Sequence, residues 1–395
     1  MIRVLLVDDS PSVRAVLRRF LSRTEDLVVV GDAEDGERAV AAVVELQPDV
    51  VVMDLQMPVM DGLVAIEKIM ARRPTPILVL SSRANRNQMQ TAFEAMKRGA
   101  IEVLPKPEDT GSWQLLADSL PEVVRAAAAA VATVRPARGG WKATPARTEE
   151  AAAPSPAPAT PAAAATPAMG AVPATGLPRA RRPERPLRWV AIGASTGGPA
   201  ALRELFDELP ADLPVSILVV QHIAAGFEAG LADWLNKEFP HDVRLAKDGE
   251  IPAPGAVRLA PAGSHLRLET NGKIGLDAAT PARRGHKPSV DDLFHSIALA
   301  APRESVGVLL TGMGSDGVEG LLALRAAGGI TVAQDEASSV VFGMPRVALE
   351  KGAADLAMPP REIARWLARI CRGGDRGDRS DRSERSGEGA AGAGS

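Results

Sequence analysis

Short, almost wholly apolar runs alternate with longer amphipathic stretches in two separate blocks of this chain, and that alternation narrows the fold more than any other feature. In the first block the runs are Val4–Val7, Val28–Val30, Val50–Met53, Ile77–Leu80 and Ile101–Leu104. They are too short for helices and too uniformly apolar for strands with one wet face, so they read as parallel strands buried on both sides. Between them, Ser12–Leu21, Gly36–Leu46 and Asn87–Arg98 space their apolar residues at helical intervals. Strand–helix alternation implies a doubly wound α/β sheet whose ligand site lies at the carboxyl ends of the strands. A second block, Trp189–Arg369, repeats the pattern, with Trp189–Ile192, Ser216–Val220, Val257–Ala260 and Gly307–Leu310 as strands and Val318–Ala326 as a helix.

From about Ala126 to Pro186 the periodicity vanishes into Ala, Pro and Thr, a composition that buries little and forbids a regular ladder. The expected organisation is a first α/β domain over 1–125, a disordered linker over 126–186, a second α/β domain over 187–372, and a disordered Gly/Ser/Arg/Asp-rich tail over 373–395. Hydrophobic residues make up 46% of the 395, enough for two cores, and the net charge of −3 argues against a nucleic-acid or anionic-membrane binder. The single cysteine, Cys371, permits no internal disulfide and reads as a packed side chain in the last helical segment. The first residues form a strand pattern rather than a signal peptide, and no apolar run reaches the ~18 residues of a membrane span. A cytoplasmic protein with no membrane insertion is expected.

Chemistry-bearing residues sit at the strand ends. Asp8 and Asp9 follow the first strand, Asp54 the third, Ser81 the fourth and Lys106 the fifth. Each aspartate could simply cap a helix, which is common at strand-to-helix junctions. Parallel-sheet geometry nevertheless brings all five to one edge. Three crowded carboxylates repel unless a cation joins them, and a hard, oxygen-rich cluster suits Mg²⁺. Lys106 would offer a point charge, and Ser81 a hydroxyl, to an incoming phosphoryl group.

Val-Asp-Asp-Ser, Met-Asp-Leu-Gln-Met-Pro-Val-Met-Asp-Gly, Leu-Ser-Ser and Leu-Pro-Lys-Pro, in that order, resemble the successive motifs of receiver domains, with their flavodoxin-like fold. The resemblance implies Asp54 as the phosphorylated residue, Asp8 and Asp9 as Mg²⁺ partners with Asp54 (Asp9 the more direct), and Ser81 and Lys106 as the phosphoryl switch. Many receivers carry an aromatic three residues before the lysine. Here that position is Val103, so no rotating ring there can transmit phosphorylation.

The second block opens with Trp-Val-Ala-Ile-Gly-Ala-Ser-Thr-Gly-Gly-Pro, a strand running into a Gly-x-Ser-x-Gly turn that would expose the Ser195 hydroxyl. A dinucleotide loop is the competing reading, but it wants a different glycine spacing and an acid at the next strand end. That strand ends instead in Gln221-His222, suited to proton transfer. Among the five histidines only His222 falls at a central strand end. His241 and His295 read as surface residues. Thr311-Gly312-Met313-Gly314-Ser315-Asp316 closes a third strand, placing Met313 N–H groups near a developing oxyanion and offering Asp316 to orient the histidine, although Asp316 could merely cap Val318–Ala326. The basic stretch Arg283–Pro288 reads either as a solvated loop or as a contact for an acidic helix, and Ser289 and Asp292 as caps of the helix that follows.

The order Ser, His, Asp differs from that of α/β-hydrolases. Gly-Ala-Ser-Thr-Gly-Gly-Pro, Val-Gln-His-Ile, Lys-Pro-Ser-Val-Asp, Leu-Thr-Gly-Met-Gly and Gly-Met-Pro-Arg resemble the catalytic domain of the chemotaxis protein-glutamate methylesterases, a Rossmann-like fold. The resemblance implies Ser195 as nucleophile, His222 as general base and acid, Asp316 as its orienter and Met313 beside the oxyanion. It also implies a phosphorylation-activated serine esterase that demethylates γ-glutamyl methyl esters on chemoreceptors and can deamidate receptor glutamines. Its phosphodonor would be the chemotaxis histidine kinase, with Mg²⁺ in the receiver and no cofactor for the esterase. Two alternatives stand beside it: the same chemistry in a non-chemotaxis receptor pathway, and a receiver driving a DNA-binding output, which lacks a basic recognition helix here.

Overall fold

The computed structural model describes residues 1–81, 86–107, 109–129, 183 and 185–372. The expected tail, and nearly all of the expected linker, lie outside them. The first block folds as β1 (Ile2–Val7), α1 (Pro11–Leu21), β2 (Leu27–Ala33), α2 (Gly36–Leu46), β3 (Val50–Asp54), α3 (Gly62–Arg72), β4 (Ile77–Ser81), α4 (Arg86–Lys97), β5 (Glu102–Pro105) and α5 (Thr110–Ala129). The strands pair in parallel in the order β2-β1-β3-β4-β5, so the direction of winding reverses between β1 and β3. That reversal opens a crevice at the strand ends where Asp8, Asp9 and Asp54 emerge. α5 runs four residues past the expected domain edge at 125. Alanine is the strongest helix former, and Ala126 and Ala127 bury themselves against the sheet, so helix continues where the composition reads as linker.

The second block comprises β6 (Trp189–Ala194), α6 (Gly198–Glu208), β7 (Ser216–Gln221), α7 (Glu228–Glu238), β8 (Asp242–Leu245), β9 (Ala256–Leu259), β10 (His265–Leu268), β11 (Ile274–Asp277), α8 (Val290–Ala300), β12 (Ser305–Leu309), α9 (Val318–Ala326), β13 (Ile330–Gln334), α10 (Met344–Glu350), β14 (Leu356–Met358) and α11 (Pro360–Cys371). Seven strands form a parallel sheet in the order β14-β13-β12-β6-β7-β9-β8, and β10 and β11 form a separate antiparallel hairpin. β6, β7 and β12 are buried along their whole length, which is why they read as unbroken apolar runs. They lie side by side in the middle of the sheet, so the loops that leave them meet above one edge.

The two sheets share a packed boundary. Phe93 of α4 stacks on Trp234 of α7 at 5.6 Å between ring centroids, and Lys97 Nζ reaches Glu238 at 2.9 Å. A continuous apolar cluster runs from Ile66 and Phe93 into Leu231 and Phe206. Cys371 is buried, and burial pushes its thiol up to about 12, which suits packing and not reactivity.

Phe206 is 1% exposed and touches Phe239 and His241 at the base of α6. Phe206→Ala should cost about 3–5 kcal/mol through the cavity it leaves. Urea unfolding followed by circular dichroism would show the transition moving to lower denaturant at constant slope.

Candidate active site

At the edge of the second sheet, β6 ends in Ala194 and the chain turns sharply through Ser195, Thr196 and Gly197 into α6. Gly197 has φ +76°, a left-handed conformation in which a side chain would also strike Val340. The turn is pinned from three sides. Ser195 N donates to Thr311 O at 3.0 Å, Gly198 N to Ser195 O at 2.8 Å, and Thr311 Oγ1 to Thr196 O at 3.0 Å. Gln221 Nε2 donates to both Ser195 O and His222 O at 2.8 Å, tying the serine turn to the end of β7. Gly312 must be glycine for a different reason: a Cβ there would lie 2.6 Å from Ser195 Cβ and 2.4 Å from Met344 Sδ.

His222 follows β7 directly, its backbone N–H donating to Ala194 O at 2.9 Å. Its Nε2 lies 2.9 Å from Asp316 Oδ2, within ion-pair reach but off the ideal N–H line. Nδ1 is buried and has no hydrogen-bond partner among the described residues. Among the described residues no hydrogen bond joins Ser195 Oγ to His222; such contacts commonly tighten only when substrate arrives. Met313 is 36% exposed at the lip of the site, and its backbone N–H donates to nothing among the described residues.

Asp316 is a helix cap, but not of the helix it precedes. α9 starts at Gly317 without a side-chain cap. The carboxylate instead accepts from Val290 N at 2.7 Å, Asp291 N at 3.1 Å and Ser289 Oγ at 2.8 Å, at the N-terminus of α8. Burial works to raise its pKa, yet the His222 ring beside it, with the Val290 and Ser289 donors, prevails and holds it below the usual carboxylate range. A buried, ionised carboxylate beside an imidazole keeps the ring oriented and stabilises the imidazolium that forms when it takes a proton.

The basic stretch is neither a free loop nor an open patch. Arg283 and Arg284 pair with Glu319 of α9, and Arg284 also donates to Ser315 Oγ at 3.2 Å. They hold His286 against the site, where its ring lies parallel to that of His222 at 4.0 Å. Burial, then the neighbouring His222, lowers its pKa, which disfavours its charged form. Ser289 caps α8 as expected, accepting from Asp292 N. His241, expected at the surface, is 4% exposed, because Phe206 and Phe239 close over it. His295, also expected at the surface, is half-buried against the α8 backbone.

At the other sheet edge, Asp8, Asp9 and Asp54 bring carboxylate oxygens within 4.8 Å of one another, with Asp8 and Asp54 buried and Asp9 exposed. None caps a helix: Ser10 caps α1 and Asp61 caps α3. Lys106 Nζ sits 2.8 Å from Asp8 Oδ2 and 2.5 Å from Asp54 Oδ2. Burial, opposed by Lys106, raises the Asp8 pKa, a strain that a divalent cation would relieve. Asp54, Ser81 and Lys106 line a cavity of about 60 Å³, with Gln56, Gln88 and Thr91 around it.

Both domains match known families. The receiver domain profile of response regulators covers residues 4–116 and the CheB methylesterase profile covers 190–367. A protein-glutamate methylesterase/protein-glutamine glutaminase of Anaeromyxobacter dehalogenans is 42% identical over 93% of this chain and 98% of its own length. The chain belongs to the protein-glutamate methylesterase family. A second member, from Symbiobacterium thermophilum, is 40% identical over 93% of this chain and 96% of its own. The CheB methylesterase catalytic domain of Thermotoga maritima is 37% identical, with a TM-score of 0.45 over 47% of this chain and 98% of that one. Within this methylesterase, sequence reasoning did not single out Gln221, Gly312 or the stacking of His286. Only Gln221 carried a signal, as the residue beside a strand-end histidine.

Gly312→Ala should displace the serine turn by several tenths of an ångström and lower kcat by up to about a hundredfold, with circular dichroism unchanged. Steady-state ester hydrolysis by the purified variant is the check.

Proposed function

We propose that this protein hydrolyses γ-glutamyl methyl esters on chemoreceptors, with Ser195 as nucleophile, and that phosphorylation of Asp54 in its first domain raises that activity. The observation that carries the reading is the convergence of Ser195, His222 and a buried, ionised Asp316 above β6, β7 and β12. In this mechanism Ser195 Oγ attacks the ester carbonyl while His222 takes its proton. The Met313 backbone N–H steadies the oxyanion of the tetrahedral intermediate. Collapse of that intermediate breaks the bond to the methoxy oxygen, which leaves as methanol with the proton from His222. Water, deprotonated by His222, then attacks the acyl-enzyme, freeing Ser195 and leaving a glutamate side chain. A receptor glutamine would follow the same path and release ammonia.

The domain assignment we adopt is a receiver over 1–125, a linker over 126–186, the esterase over 187–372 and a tail over 373–395. Mg²⁺ would be held by Asp8, Asp9 and Asp54, with Asp9 the most accessible of the three. Bound there, it would neutralise the charge gathering on the phosphoryl group, while Lys106 and Ser81 take up the phosphoryl oxygens. A histidine kinase serves as phosphodonor and the compartment is the cytoplasm. No helix among the described residues is long and apolar enough to cross a membrane. Docking of α4 on α7 supports the view that the unphosphorylated receiver suppresses the esterase by leaning on the serine turn.

Methanol release from methylated receptor membranes tests the chemistry. Ser195→Ala should lose several orders of magnitude in turnover, as removing a serine nucleophile does elsewhere, with its fold intact; retained activity would remove Ser195 from the mechanism. Asp54→Asn keeps the shape of the acceptor without its nucleophilic oxygen. It should take up no label from a phosphorylated kinase, and its methanol release should no longer respond to a small phosphodonor.

A further inference from the structure

A carboxyl at the boundary between the two sheets is buried with no ion pair among the described residues, and neither site uses it. Glu102, at the start of β5, is 6% exposed and lies at the boundary between the two sheets. Its Oε2 accepts from Gly197 N at 3.3 Å, on the turn that carries Ser195, and its Oε1 from Val103 N at 3.1 Å. Gly197 is the N-cap of α6 and supplies no side chain to that helix end, so the first domain caps a helix of the second.

We propose that Glu102 is a proton-linked latch: it seats the receiver on the serine turn as a neutral carboxyl and releases its proton when the domains part. The inference rests on the reading that receiver docking suppresses the esterase. Among the described residues, no charged group on the neighbouring elements forms an ion pair with it. β4 contains none. On α4, Lys97 is paired with Glu238 of α7, and Arg98 with Glu67 and Glu94. Lys106, just past the end of β5, is held by Asp8 and Asp54. Arg203 of α6 makes no ion pair with it, and Asp335, on the loop leading to Val340, is bonded to Ser338. His241, under α6, has its pKa lowered by burial, which disfavours its charged form. Burial therefore decides, outweighing the Val103 and Gly197 donors, and pushes Glu102 up to about 7.

The sign follows from linkage. The docked state has the higher pKa and holds the proton more tightly, so docking is strongest below the ordinary carboxylate range. It weakens as pH rises from about 4.5 to about 7, where the docked carboxyl itself ionises, and then levels off. Between pH 5.5 and 7.5 the open-to-docked ratio should rise on the order of tenfold, since each unit of pKa difference is worth up to tenfold. Glu102→Gln keeps an acceptor for Gly197 N–H and carries no charge at any pH.

The test uses the full-length chain with cysteines at the exposed positions Leu115 and Leu299, Cys371 replaced by alanine, and a donor–acceptor dye pair reporting domain separation. With Glu102 present, the open fraction should climb on the order of tenfold from pH 5.5 to 7.5. With Glu102→Gln it should stay flat and low. Methanol release without phosphodonor, divided by release with saturating phosphodonor at the same pH, should follow the same two courses. A flat dye signal in the Glu102 chain overturns the latch, and so does an equal pH response in Glu102→Gln. If the dye signal follows the prediction while the activity ratio ignores it, the latch stands and suppression by docking fails instead.

Discussion

The arrangement of the esterase site depends on one buried carboxylate. Asp316 is 3% exposed, an environment that by itself would drive it to the neutral form. It remains ionised because Val290 N, Asp291 N and the Ser289 hydroxyl converge on it and His222 stands beside it. The same contacts fix three elements at once: the loop after β12, the N-terminus of α8 and the residue after β7. Replacing the carboxylate by an apolar side chain would leave two buried N–H donors and a hydroxyl unsatisfied, each costing about 1–3 kcal/mol. The catalytic duty proposed for this residue and its structural duty rest on one set of bonds, so asking whether Asp316 caps a helix or orients a histidine poses a false choice.

Around that anchor the site is built from backbone, and this explains the glycines. Gly193, Gly312 and Gly317 each lie where a Cβ would collide with Val290, Ser195 or Met344. Close approach of three strand ends to the start of α8 leaves no room for side chains between them. Gln221 fills the one gap that remains, and its amide bridges the two carbonyls that the sharp turns after β6 and β7 leave without ladder partners.

The central strands were legible in the sequence because strands buried on both faces leave an unbroken apolar run, as in Ser216–Gln221. The β10–β11 hairpin was not, since Arg267 and Asp277 interrupt its apolar residues and its short strands resemble loop. Ser195, His222 and Asp316 were legible because parallel-sheet geometry alone sends strand ends to one edge. His286 was not, because its position depends on Arg283 and Arg284 finding Glu319, which lies more than thirty residues further along the chain. His241 was misread for the same reason. It follows the amphipathic α7 in a loop, while the Phe206 ring that covers it comes from α6. Local pattern reports what an element is made of, and it is silent about what a distant element lays over it.

β5 gives a physical route between the two sites that needs no rotating aromatic. Just past one end of this short strand sits Lys106, bound to Asp8 and Asp54, with its backbone N–H donating to Ser81 O at 2.8 Å. The other end carries Glu102, bound to the serine turn of the esterase. Four residues of extended strand span roughly 13 Å, too little length for the chain to absorb a displacement by bending. A phosphoryl group on Asp54 adds negative charge at the point where Lys106 is held and competes for it. Any shift of Lys106 toward that charge is transmitted along the strand to Val103, which is fully packed, and to the carboxyl beside it. A hydrogen bond of 3.3 Å between Glu102 and Gly197 is already near the limit of its range, so a displacement of a few tenths of an ångström is enough to break it. The Phe93–Trp234 stack and the Lys97–Glu238 pair, by contrast, lie on α4, outside that line.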